Sequence, residues 1–535
     1  RKDSVAPECT PCSAIPGVLC SRNATLQKLN LTAIYWRHSL WTNQTWACKV
    51  SGSWSPCAGG IDAAHDGDGY CADGYYGPRC ELCAGSNSSA YHFDENDARC
   101  HFCGEVTGQA SAAFGTLLFL LAVAGGLLTA WRRGLSKHFR RIRYMRRLWL
   151  EAGMRYKSKA FVGLYQCIAA VPSVFDVQPP LGLEEFRSWI NLLEMPAHFG
   201  VDLIVPSACF GSYRRRLLIT AFWPVFLIAI IALSLVGWDL FRNRSLEHQF
   251  SRGGRMSHAV RAGANNALPI ILLATFLLVP STGMRIFKTF LCDRFEYEAG
   301  VTRRYLHEDL ATSCESDDYK VTRNFAFITV AVWPIGVPML YLCLLWMSRE
   351  AIQSQDPTAL SAATSFLWGD YKPSAFWWEP FEMCHKLTLT GWVLLIEEEH
   401  EQARVLTAIL VSIACLSFHL LVQPLKRKDD GAVMLMAEMS LVTVYLCVLV
   451  IKSCDASSVA LAGLADVRDI GATVCSTFGF GESPSGVYLF FIFFGLGMIL
   501  LQVCMGSVRL YYTGKRTSSL PDGNSIFHVT KSHLG

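Results

Sequence analysis

Charge is what this sequence is short of. Asp, Glu, Lys and Arg make up 17% of its 535 residues, against about a quarter in a soluble globular protein. Apolar residues reach 51% and the mean hydropathy is +0.27, so a large soluble core does not explain the long apolar runs. Other things are missing too. There is no repeated zinc spacing, no glycine-rich phosphate loop and no nucleophile–base pair, so neither an enzyme nor a cofactor or resident metal is expected. The net charge of +4 is small, and no nucleic-acid partner is expected. Internal repeats of the transporter kind are absent. No basic stretch followed by an apolar one opens the chain, so a signal peptide is expected to have been removed or to lie upstream.

Cysteine is what the chain has, and unevenly. Of 21 cysteines, ten fall in the first 103 residues, the density of a disulfide-stapled extracellular module. The same stretch carries four Asn-x-Ser/Thr acceptors, at Asn23, Asn30, Asn43 and Asn87, which points to the secretory pathway. "CADGYYGPRCELC" (71–83) resembles the second half of a laminin-type EGF repeat. The resemblance implies a tight turn at Gly74 and Gly77 and a bridge from Cys71 to Cys80, with Cys83, Cys100 and Cys103 also structural. "CHFC" at 100–103 is read as structural rather than redox-active.

The apolar runs predict an all-α polytopic membrane protein of about nine spans behind a small EGF-like, disulfide-rich ectodomain. The spans fall near 109–131, 160–178, 217–238, 268–290, 323–347, 379–396, 403–422, 432–452 and 486–511. The domain plan is an ectodomain at 1–105, a first span at 106–131, a basic segment at 132–160, a transmembrane domain at 161–511 and a tail at 512–535. Residues 132–159 hold eleven Lys/Arg against Glu151 alone. That segment either lies on anionic headgroups or simply anchors the topology, and it belongs in the cytoplasm. The N-terminus is then extracellular and the C-terminus cytoplasmic, in a plasma or ciliary membrane. One conflict stands, because Arg214, Arg215 and Arg216 fall on the outer side. If 160–178 fails to cross, every later loop changes side, and the Asn243 sequon would be external.

Cys292 with Cys314, and Cys454 with Cys475, sit in loops predicted to be external. Cys209 is left to pair with Cys292 or Cys314, or to stay free. Cys167, Cys343, Cys384, Cys415, Cys447 and Cys504 lie in spans and are expected to pack as small apolar groups.

Ionisable residues inside a span are functional candidates. In "FLLVPSTGMRIFKTFLC", Lys288 lies one turn below Cys292 and can snorkel. Arg285 is deeper and needs a partner or a wet cavity, and the acidic corner at 397–401 is nearest in depth. Glu438 either pairs with Lys386 or lines an ion path. Glu379, Glu382 and His385 form a gate or a wet helix end, and His419 is a hydrogen bonder. Asp466 and Asp469, with "FGFGES", suit either a pore loop or a plain stapled loop.

Several phrases occur in a familiar order: "FLLVPSTGMRIFKTFLC", "YLHEDLATSC", "VAVWPIGVP", "WWEPFEMCHKLTLTGWVLL" and "QPL". Over residues 155–452 they resemble a TRP-like family of polytopic proteins in algae, oomycetes and other protists, related to fungal TRP-like proteins and polycystins. The resemblance implies a cation channel, calcium-permeable or mechanically gated; the ion-path candidates among the charged residues above are Glu438, Arg285, Glu382, Asp466 and Asp469. A homo-oligomer would follow. The chain departs from animal TRP channels in lacking ankyrin repeats, a TRP helix and a recognisable filter. The competing expectation is a non-conducting receptor, adhesion or scaffold protein whose ectodomain binds matrix or filament partners.

Overall fold

In the computed structural model, the described residues are 11–12, 15–21, 24–84, 91–94, 97–104, 153–177, 207–243, 252–396 and 401–460, with 495 and 497. The N-terminal part of these is a head made of very short strands, too small to hold itself together by apolar burial alone. Disulfides supply the rest, joining Cys12 to Cys20, Cys48 to Cys57, Cys71 to Cys80 and Cys83 to Cys100. Trp36 and Tyr70, both fully buried, form its centre. The buried Arg37 guanidinium is spanned by the Tyr70 hydroxyl at 2.6 Å and the Leu26 carbonyl at 2.8 Å. Gly77 has φ +75°, and a Cβ there would stand 2.5 Å from Leu82 Cδ1, so the tight turn requires glycine. The head ends in a hairpin of β1 (Tyr91–Asp94) and β2 (Arg99–Phe102).

The helices are α1 (Met154–Phe175), α2 (Tyr213–Asn243), α3 (Arg252–Lys288), α4 (Asp317–Met347), α5 (Trp378–Thr390), α6 (Glu401–Val422) and α7 (Lys428–Ala460). All but α5 contain a stretch long and apolar enough to cross a membrane, six in all among the described residues. The mostly helical plan with candidate membrane helices therefore stands, while the count of about nine is not confirmed. The expected spans at 109–131 and 486–511 lie outside the described residues. The one at 379–396 is broken. Helix α5 has 13 residues, a rise of about 20 Å against a hydrocarbon core of about 30 Å. It stops at Gly391, where a Cβ would run into the Phe287 ring, and continues only as a 3-10 turn over Trp392–Leu395.

The ends of the helices are marked by charge. At one end Arg155 pairs with Asp370 at 2.8 Å, and the Lys372 amide donates to the Pro424 carbonyl at 2.7 Å. At the other end Asp176 meets Lys452 at 4.0 Å. Helix α1 runs from the first to the second, about 33 Å by its 22 residues, and Pro172 does not break it. Helix α2 leaves its large side chains uncovered, with Phe226, Ile230 and Leu233 67%, 64% and 73% exposed. On a membrane helix such a face meets lipid.

One element departs from the all-α expectation. Between α3 and α4 the chain forms an antiparallel meander of β3 (Cys292–Glu298), β4 (Val301–Leu306) and β5 (Asp309–Ser313), closed by the Cys292–Cys314 disulfide. Cys209 is not its partner; it bonds Cys103. Helix α7 also overruns its expected end, continuing through Cys454 to Ala460. Cys454 therefore lies in a helix rather than in a loop. Cys475, Asp466, Asp469, Cys504, Asn23 and Asn87 lie outside the described residues. Asn43 is exposed and Asn30 partly so.

Candidate functional site

Two groups of residues stand out, one at each level of the molecule. The first is the joint between head and bundle. Strand β3 alternates, so Phe295 faces the head and is fully buried there. Its ring packs edge-on to Trp36 at 5.6 Å, Trp46 at 5.1 Å and Tyr305 at 5.9 Å. The head and the meander thus share one apolar core. Polar contacts frame it. Ser39 Oγ donates to the Tyr297 carbonyl, Thr42 Oγ1 donates to Glu296 at 2.7 Å, and Arg303 reaches Asp66 at 2.7 Å. A second tether is covalent, the Cys103–Cys209 disulfide from β2 to the segment entering α2.

Beside this tether lies a cleft of about 320 Å³, lined by residues of the 76–83 turn, β1, the start of α2 and the β4–β5 turn. Charges meet here. Lys288 is 2.6 Å from Glu308, and His307 is 2.8 Å from Asp293, which Arg79 approaches at 3.5 Å. Lys288 therefore does reach out of its span. Arg285 has Glu308 within electrostatic reach; of the acidic corner at 397–401 first considered for it, residues 397–400 lie outside the described residues. The misplaced arginines find acids at the same end, Arg214 with Asp318 at 3.2 Å and Arg216 with Asp309 at 3.9 Å.

Burial works against charge on His307, but the hydrogen bond and charge of Asp293 outweigh it and raise its pKa to about 9. Burial also pushes the Glu308 carboxyl up, but Lys288 first, then His307 and Arg285, outweigh it and bring it to about 2. His307 then stabilises the joint fully below its ordinary 6.5, an effect lost as pH rises through about 9. Glu308 contributes fully above its ordinary 4.5, an effect lost as pH falls through about 2. The side chains are 32% and 34% exposed, so salt will soften both effects. The joint should be firmest between pH 4.5 and 6.5. Intrinsic-rate-corrected hydrogen exchange across 292–313 checks this, and a profile flat from acid to alkali would contradict it.

The second group lies inside the bundle, where α1, α5 and α7 meet. Their polar residues recur at helical spacing, with Tyr156, Lys159 and Gly163 on α1 facing Glu379, Glu382 and Lys386 on α5. Lys159 Nζ is 2.6 Å from Glu379 Oε2 and donates to the Phe366 carbonyl at 2.7 Å. The Tyr371 hydroxyl donates to the same carboxylate at 2.9 Å. Lys157 and Lys159 are 2% and 7% exposed, so these two side chains of the basic segment are packed inside the protein. Burial begins with the first turn of α1.

Toward the middle, Glu382 accepts from the Trp378 indole at 3.1 Å. A Cβ on Gly163 would stand 2.6 Å from Lys386 Nζ, so glycine leaves the groove in which the lysine lies. The expected Glu438–Lys386 pair does not form. Lys386 sets its ammonium 4.3 Å above the Phe276 ring, and His385 Nδ1 is what meets Glu438, at 3.5 Å. Of the cysteines in the spans, Cys167 and Cys447 are buried, but Cys343 and Cys384 are exposed on the bundle surface.

No protein-family profile and no solved structure matches the chain. Over 170 residues it is 22% identical to cysteine repeat modular protein A of Toxoplasma gondii, covering 30% of this chain and 5% of that relative. The chain thus spans a small fraction of the length of the relative it matches. With the stapled head and the apolar helices, the likeness fits a cysteine-rich membrane protein. It does not extend to a TRP-like family.

Proposed function

We propose that this chain is a membrane receptor whose cysteine-rich head binds a partner outside the cell and passes the event into the helix bundle. The observation that carries this reading is the joint. The head is not hung on a linker; it shares the Phe295 core with the meander that connects α3 to α4, and Cys103 bonds it to the entry of α2. A load on the head therefore acts on three helices at once. Matrix or filament proteins are the partner class such a head suits. The test is hydrogen exchange on the full chain in liposomes, with and without a Fab against residues 24–84. Altered protection at the head-side ends of α3 and α4 supports transmission. A change confined to the head removes it.

A second reading, cation conduction, is favoured by the charged residues buried where α1, α5 and α7 meet. It expects Glu438→Gln to alter conductance in reconstituted bilayers. The absence of current under voltage, stretch or calcium would remove it.

A further inference from the structure

Where α1, α5 and α7 converge they leave a cavity of about 30 Å³, lined by Tyr156, Gly163, Glu382, His385, Lys386 and Glu438 among others. That is room for about one water molecule. Two of its lining residues are more than nine-tenths buried, His385 at 7% and Glu438 at 6% exposure. Each keeps one polar atom, His385 Nε2 and Glu438 Oε2, without a hydrogen-bond partner. Buried polar atoms of this kind are rare and call for an occupant.

Among the charged residues that line the cavity, one cation, Lys386, stands against two carboxylates, Glu382 and Glu438. Arg155 and Lys159 are matched by Asp370 and Glu379. Asp430, one helical end away, has Arg427 at 3.8 Å and Lys157 in electrostatic reach. That leaves Lys386 facing both Glu382 and Glu438. The other titratable groups around it are Tyr156 and Cys167 from α1, Cys415 of α6 in reach of Glu438, and His419 of α6 behind the Trp378 ring, and none brings a fixed positive charge. Within the lining one carboxylate charge is in excess, and an uncompensated charge inside a bundle is strongly unfavourable.

We propose that this cavity is a proton-binding site within the membrane, with Glu438 holding the proton and His385 as the group that exchanges it. A proton is the one cation that fits, because a metal ion here would stand beside the Lys386 ammonium lining the same small space. Glu382 stays the anion, since its oxygen already accepts the Trp378 indole N–H. No bond to carbon changes; the proton moves between Glu438 Oε1 or Oε2 and a ring nitrogen of His385, through the single water the cavity admits. Packing of α1 against α5 and α7 is thereby linked to proton activity on whichever side wets the cavity. The site stands independently of conduction: a chain that passes no current can still bind the proton.

Infrared spectroscopy on the full chain in lipid nanodiscs tests this. At neutral pH the wild type should show the carbonyl stretch of a protonated carboxylic acid, shifted in D2O and lost on alkaline titration. That band should vanish in Glu438→Gln, whereas in Glu382→Gln, which removes the competing anion, it should keep its frequency but be lost at lower pH than in the wild type. Its absence from the wild type, or its survival in folded Glu438→Gln, overturns the proposal. Should Glu438→Gln not fold, the wild type paired with His385→Gln decides the matter. A titrating band displaced by the histidine change supports the site, and a band indifferent to it does not.

Discussion

Lys159→Ala should cost the bundle about 3–5 kcal/mol, because it leaves the Glu379 carboxylate buried without its cation. Glu379 is 2% exposed, and its remaining contact is the Tyr371 hydroxyl at 2.9 Å. One neutral donor offsets little of the desolvation of a full charge. The substitution also frees the Phe366 carbonyl, which Lys159 holds at 2.7 Å, and removes the ammonium lying 4.2 Å above the Phe366 ring. The loss should appear as a large drop in thermal stability of detergent-purified protein. The double variant Lys159→Met with Glu379→Met should recover most of it, since well-packed apolar pairs replace buried ion pairs at little cost. It would still fall short of wild type by about 1 kcal/mol, the cost of a Tyr371 hydroxyl without its acceptor. A fully stable Lys159→Ala would mean that Glu379 is not desolvated and that the helix ends near Asp370 are open to water.

Phe295→Ala is the second large effect, and it acts on the joint. Removing a fully buried phenylalanine costs about 3–5 kcal/mol through lost burial and the cavity left behind. Here the ring also forfeits three edge-on aromatic contacts, with Trp36, Trp46 and Tyr305, each worth about 0.5–1.5 kcal/mol beyond area. The remaining polar ties, led by Thr42 to Glu296 and Arg303 to Asp66, lie at the rim of this core and are worth little once it opens. The head disulfides within residues 12–100 stay closed, so the head should loosen from the meander rather than unfold. Limited proteolysis should cut between β3 and β4 in the variant and not in the wild type, while α6 and α7 keep their protection. Equal resistance in both would show that the head is held by the Cys103–Cys209 tether alone.

Much of the bundle can be read from the residues. Runs such as "LLITAFWPVFLIAIIALSLVGW" leave little choice but a helix, because only a helix satisfies its own backbone in lipid. The joint is harder to see. "CDRFEYEAGVTRRYLHEDLATSC" is dense in charge and short, so it looks like a loop. Its strand signal is an alternation in which Asp293, Phe295 and Tyr297 fall on one side and Arg294, Glu296 and Glu298 on the other, with Gly300 (φ +79°) at the turn. The partner of Phe295 is Trp36, more than two hundred residues away, and no local pattern reports such a distance. The same holds for Cys103 and Cys209, separated by 106 residues, where spacing cannot fix connectivity. In the basic segment, eleven like charges hide a change of role. Lys157 and Lys159 already follow the burial rhythm of α1, whose counter-charges arrive from Asp430 and Glu379 much later in the chain. His385 was legible only as one polar residue among several; its place opposite Glu438 depends on how α5 is rotated against α7, which packing sets and sequence does not.

Head and bundle form one connected body through the Phe295 core and the Cys103–Cys209 bond. Non-reducing peptide mapping of the full chain tests that most directly. It should yield a disulfide-linked pair of peptides carrying Cys103 and Cys209, released only on reduction. A Cys100–Cys103 bridge within "CHFC", or a free Cys209 thiol, would contradict it.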